Sequence, residues 1–148
     1  MNNKINKGIA ICFKTAIILK EKFPNDIMKI TPTTIIAFSK ENSRLLRKGR
    51  GNMSGCYAYF SNAKPHRVVI KQKTLLEQEV YTTKYVGHNE RHEIYGNLAL
   101  IELMCHELAH HRTSKHKKGF KIKYKRLWDY MVNQVISGEY YRYILPIH

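Results

Sequence analysis

The chain has 148 residues, 43% of them hydrophobic, which is enough for one domain with a real core and excludes a disordered polymer. Its 26 Lys+Arg against 11 Asp+Glu leave a net charge of +15, which points to a polyanionic partner, nucleic acid before an anionic membrane surface. The cysteines, Cys12, Cys56 and Cys105, are odd in number, widely spaced and form no CxxC; this argues against a disulfide scaffold and a cysteine zinc knuckle and suits a reducing, cytoplasmic setting.

Ile5, Ile9, Cys12, Ala16 and Leu19 recur at helical spacing, with Phe13 and Ile17 widening the stripe, and Pro24 ends this first helix. Lys14 interrupts the apolar run from Ile9 to Leu19, so it reads as an amphipathic helix, neither a signal peptide nor a membrane span. Residues 30–39 are β-branched and predict a strand, with Pro32 near its start. Residues 40–53 are basic and glycine-containing and read as an exposed loop. Residues 56–60 and 67–71 predict two further strands around the turn residues Ser61 to Pro65, giving a small antiparallel sheet. Thr74 is positioned to cap a short helix through Leu75, Leu76 and Val80, and residues 86–91 read as a loop.

A second strong helix is expected over about 93–112, with Leu98, Ile101, Cys105 and Leu108 as its apolar stripe. Gly119 is expected to break the chain. A last helix runs from about Phe120 to Ile136 on Phe120, Tyr124, Leu127, Met131 and Val135, with Gly138 at its C-terminal cap. No repeat or linker divides the chain, so 1–148 reads as a single domain.

Residues 106–110 read His-Glu-Leu-Ala-His. Positions i and i+4 of a helix share a face, so His106 and His110 can converge on one tetrahedral zinc ion. Glu107 then flanks the metal, where it can take a proton from a zinc-activated water and pass it to a leaving amine. A catalytic zinc takes three protein ligands and leaves one position open. His116, six residues on, is the expected third ligand, with His88 and His92 in reserve; His111 points about 100° away around the helix.

The run from His106 to Phe120, HELAH-x5-H-x3-F, resembles the SprT-like and WLM metalloproteases and the YgjP-like metallopeptidases. The likeness covers roughly residues 55–131, with its specific part in that run. Thr113, Ser114 and Lys115 stand where the WLM pattern usually has a glycine. The resemblance implies a minimal gluzincin-like α+β fold: N-terminal helix, small antiparallel sheet, HExxH helix and C-terminal helix. It implies a Zn2+-dependent endopeptidase and, for the SprT-like and WLM groups, cleavage of proteins bound to DNA, hence a nucleoid- or DNA-associated enzyme. The alternative is a basic nucleic-acid-binding module with a structural or vestigial zinc.

Further residues carry weaker expectations. Glu102, one turn before His106, reads as a solvated helix residue before a partner of a ligand imidazole. Two basic groups, Arg44 to Arg50 and Lys115 to Arg126, are candidates for phosphate contacts. Tyr140, Tyr141, Arg142 and Tyr143 read as packing residues before oxyanion partners, and none is assigned that role. Residues 68–71 are expected to form an edge strand able to pair with an extended substrate.

Overall fold

The computed structural model describes residues 3–39, 58–61, 64–77, 81–83, 92–94, 96–113 and 117–145. The expectations for 40–53, 86–91 and His116 lie outside these residues.

The architecture is α+β. Helix α1, Asn3–Lys22, buries Ile5, Cys12, Ala16 and Leu19 as their spacing requires. It stops two residues before Pro24, whose ring cannot sit in a helix interior. Gly8 lies where α1 meets α2, Gln72–Glu77; a Cβ there would stand 2.8 Å from Leu75 Cδ2. The missing side chain is what lets the two helices approach so closely. Thr74 sits inside α2 and does not cap it.

Three strands follow the predicted positions, the first two in shorter form and the third unchanged: β1, Ile35–Phe38; β2, Ala58–Ser61; and β3, Arg67–Lys71. Their order is β1-β3-β2. β2 runs antiparallel to β3, but β1 runs parallel to it, so the sheet is mixed where the sequence suggested antiparallel pairing throughout. The parallel pair is possible because about thirty residues separate β1 from β3, ample for a crossover. This order also overturns the expectation for residues 68–71. β3 is the central strand, hydrogen-bonded on both sides, and cannot accept a further strand. Val68, Val69 and Ile70 are fully buried, so both faces of β3 are covered as well.

A second pair, β4, Tyr81–Thr83, and β5, His92–Ile94, is antiparallel with Thr83 opposite His92. The helix expected to start near 93 therefore starts later. Helix α3 spans Gly96–Ala109. It packs against α1 on one side and against α4, Lys118–Ile136, on another. Ala99, Leu100, Ile101, Leu103, Met104, Cys105, Leu108 and Ala109 are all buried, whereas Leu98 is exposed. α3 is thus the core helix, apolar almost all round, as a helix enclosed by neighbours must be. Each such Leu, Ile or Met contributes roughly 1.5–3 kcal/mol on leaving water.

Gly119 lies in the first turn of α4 and does not break the chain. Gly138 follows α4 at φ 84°, a left-handed position that suits glycine, and its N–H donates to the Val135 carbonyl. A short helix α5, Glu139–Arg142, completes the described chain and buries Tyr140. Among the described residues no helix is long and apolar enough to cross a membrane.

Candidate functional site

The His-Glu-Leu-Ala-His segment occupies the end of α3. The regular helix closes at Ala109. The N–H of His110 then donates to the Glu107 carbonyl at 3.1 Å, and that of His111 to Leu108 at 3.2 Å, three residues back in each case. The last turn is therefore wound more tightly than an α-helix. Arg112 follows at φ 68°, which reverses the chain and ends the element sooner than expected. Thr113 Oγ1 donates to the Ala109 carbonyl and fastens the reversal.

His106 and His110 keep a common face through this turn. Their ring centroids are 5.1 Å apart, and both rings are partly exposed on a helix buried from Ala99 to Cys105 and again at Glu107 to Ala109. The Nδ1–H of His110 donates to the Thr113 carbonyl at 2.9 Å. In that tautomer Nε2 carries the lone pair that a metal ligand needs. Phe120, on the first turn of α4, backs both rings: it stacks on His110 at 4.4 Å and meets His106 edge-on at 5.1 Å. The x3-F spacing of the motif thus places an aromatic wall behind the imidazoles.

Glu107 lies beside them, its Oε2 3.8 Å from His106 Nε2, yet it is only 5% exposed. Burial first, then the neighbouring Glu102 carboxylate, push its carboxyl up from the ordinary 4.5 to about 8. A hydrogen bond from the Phe60 backbone opposes this rise. Phe60 belongs to β2, which is bonded to β3 on one side, so β2 is the strand that borders Glu107.

Glu102 is not solvated. It is 1% exposed and accepts a 2.5 Å hydrogen bond from the Tyr124 hydroxyl. Burial and then Glu102 push the Tyr124 phenol far above its ordinary range. Burial, reinforced by Glu102, does the same to the Cys105 thiol, and burial alone to that of Cys12, so neither is a ready thiolate. The Glu102–Tyr124 pair lies under the histidines and was missed from the sequence. Its signal was the 120/124 helical spacing, which brings Tyr124 to the same side of α4 as Phe120.

His111 faces away from this group. Its ring packs edge-on against His66 at 5.2 Å and against Phe60 at 6.1 Å. Burial, then the Lys123 ammonium, hold it below the usual imidazole value. Lys123 itself is buried and donates to the His111 carbonyl at 3.0 Å, which removes it from the expected phosphate-binding group. Lys125 pairs with Asp129 at 2.7 Å and Arg126 with Asp26 at 3.2 Å, whereas Lys117, Lys118 and Lys121 are exposed. The tail residues are engaged elsewhere: Lys14 lies over the Tyr140 ring, Arg142 pairs with Glu139, and the Tyr143 hydroxyl donates to Glu21.

Two imidazoles on one face, with one tautomer set by its neighbour, are chemically suited to zinc. Among the described residues no group of three His, Cys, Asp or Glu forms a complete ligand set. His88 and His116 lie outside them, and His92 sits on β5. Compared with family models, curated proteins and solved structures, the chain matches none.

Proposed function

We propose that the chain is a zinc-dependent metalloendopeptidase acting on DNA-associated proteins, with His106, His110 and His116 as metal ligands and Glu107 as general base. One observation carries the reading: two partly exposed imidazoles share a face of a buried helix, with a buried carboxyl 3.8 Å from one of them. A helix this apolar has no packing reason to end in His-Glu-x-x-His.

When bound, zinc supplies Lewis acidity, which makes water a nucleophile near neutral pH. The remaining work falls to side chains of the chain. Glu107 takes the proton of the attacking water and delivers it to the nitrogen of the leaving amine. Burial and Glu102 raise its pKa in the metal-free protein; a dication bound beside it would favour the carboxylate that a base must be. The Thr113 carbonyl and the Phe120 ring fix the rotamer of His110. The outer edge of β2, which carries the Phe60 contact to Glu107, is the place for an extended substrate backbone to add as a strand. The net charge of +15 supports the nucleic-acid part of the proposal.

That charge equally supports a second reading, a nucleic-acid-binding module whose zinc is structural. Incubating a histone with the protein, with and without single-stranded DNA, separates the two. The peptidase reading expects cleavage by the wild type that is stimulated by DNA and lost in Glu107→Gln, with zinc retained. Zinc and DNA binding without cleavage by the wild type would leave the binding module.

A further inference from the structure

A cavity of about 230 Å³ opens at the starts of β1 and β3 and shares no lining residue with His106, Glu107 or His110. The two strands are parallel, so both begin at the same end of the sheet, and the Val68 N–H donates to the Thr34 carbonyl at 2.7 Å. This brings Lys64, His66 and Arg67 opposite Thr31, Thr33 and the buried Thr34, with Lys29 on the rim.

The walls are tied. Thr31 N–H donates to Thr34 Oγ1 at 2.8 Å, Thr34 N–H donates to the Thr31 carbonyl at 3.0 Å, and the Thr31 hydroxyl lies 3.3 Å from that of Thr33. On the other side Lys20 Nζ donates to the Pro24 and Ile27 carbonyls at 2.7 Å each, which holds the chain leading into Met28 and Lys29. Among the described residues the lining contains two lysines and an arginine and no carboxylate.

We propose that this cavity is a phosphate-binding pocket that takes one phosphodiester of a nucleic-acid strand. Lys29, Lys64 and Arg67 supply the positive charge, and the exposed Thr33 hydroxyl supplies a neutral donor. Size selects the occupant. The volume falls below the roughly 300–1,000 Å³ of small-molecule sites, so the pocket takes a phosphate with its ester arms and leaves the rest of the ligand outside. The pocket also adjoins the candidate active site. The ring of His66 stacks on Phe60 at 5.4 Å and touches His111, and the Phe60 backbone bonds Glu107. A strand anchored here is held one side chain from the element that contacts the proposed base.

The inference deepens the nucleic-acid part of the proposed function and does not depend on peptide cleavage. Binding of a labelled single-stranded oligonucleotide would be followed by anisotropy over a salt series. Three full-length proteins are compared: wild type, Lys29→Ala/Lys64→Ala, and Lys7→Ala/Lys73→Ala, which removes the same charge from exposed positions outside the cavity. The pocket variant should bind about tenfold more weakly, with its salt slope shallower by about 0.7, the loss of one phosphate contact. The control pair should change affinity by less than about twofold.

In a parallel NMR titration, inorganic phosphate should shift the His66 and Thr33 amides of the wild type, and the oligonucleotide should displace it. Equal losses in the two double variants would overturn the pocket and leave general nucleic-acid contact standing. Phosphate that saturates the site while oligonucleotide binding ignores the substitutions would assign the pocket to free phosphate or a phosphomonoester and overturn the nucleic-acid occupant. A wild type that binds no oligonucleotide would overturn the nucleic-acid reading together with the pocket's occupant.

Discussion

Glu107→Gln should stabilise the metal-free protein, and by an amount that grows with pH. The Glu107 carboxyl is raised from 4.5 to about 8, by burial first and by Glu102 second. Between those values the folded chain binds a proton that the unfolded chain has released. Stability is therefore fully present below about 4.5 and is lost as pH rises toward 8. At about 1.36 kcal/mol per unit, the wild type should lose roughly 3–4 kcal/mol between pH 5 and 8 relative to a variant that cannot ionise there. Glutamine keeps the shape and can still accept the hydrogen bond from Phe60. Urea unfolding of chelator-treated wild type and Glu107→Gln at four pH values from 5 to 8 reads the difference. Parallel stability curves would refute the reasoning, because they would mean that Glu107 ionises freely where it stands. Added zinc should shrink the gap, since a nearby dication favours the carboxylate.

Tyr124→Phe should cost about 1–3 kcal/mol in chemical denaturation, because it leaves the buried Glu102 without the hydroxyl that bonds it. Phe120→Ala should cost about 3–5 kcal/mol and also weaken zinc binding, since Phe120 both fills the core and stacks on His110; calorimetry and metal titration read the two effects separately. Arg112→Val should destabilise by about 1–2 kcal/mol while Arg112→Gly does not, because φ 68° is strained for a β-branched residue and open to glycine. Zinc at a hundredfold over its dissociation constant should add about 2.7 kcal/mol to the stability of the wild type and nothing to that of His106→Ala.

Much of the fold could be read from the chain because strong periodicity survives tertiary context. Helices α1 and α4 and strand β3 lie within a few residues of where their apolar patterns put them. The failures have physical reasons. Sheet order is a long-range property, and nothing local in Ile35 to Phe38 says that β1 will run parallel to β3. The run Val68-Val69-Ile70 carried a coarser signal: it lacks the alternation of a strand with one face in water, so β3 is covered on both faces. The pattern draws Glu93 and Ile94 into the helix because a three-residue strand has no period to detect. Glu102 misled because a lone glutamate one turn from a charged motif is most often exposed, and its partner Tyr124 is 22 residues away.

The candidate site was legible in its motif and illegible in its surroundings. His106, Glu107 and His110 follow from i, i+4 geometry alone. The Thr113 carbonyl, the Phe120 wall and the Phe60 backbone contact depend on where α3 ends, on the docking of α4 and on the position of β2. None of these is written in the spacing of the histidines. The cavity at the starts of β1 and β3 was equally hidden, since Lys64, His66 and Arg67 come some thirty residues after Lys29 and the threonines.

Metal analysis of purified wild type, Glu107→Gln, His106→Ala, His110→Ala and His116→Ala tests the central claim most directly. The account predicts one zinc per chain in the wild type and in Glu107→Gln, and loss of zinc in each histidine variant that remains folded. A wild type that holds no zinc, or histidine variants that hold as much as the wild type, would contradict it.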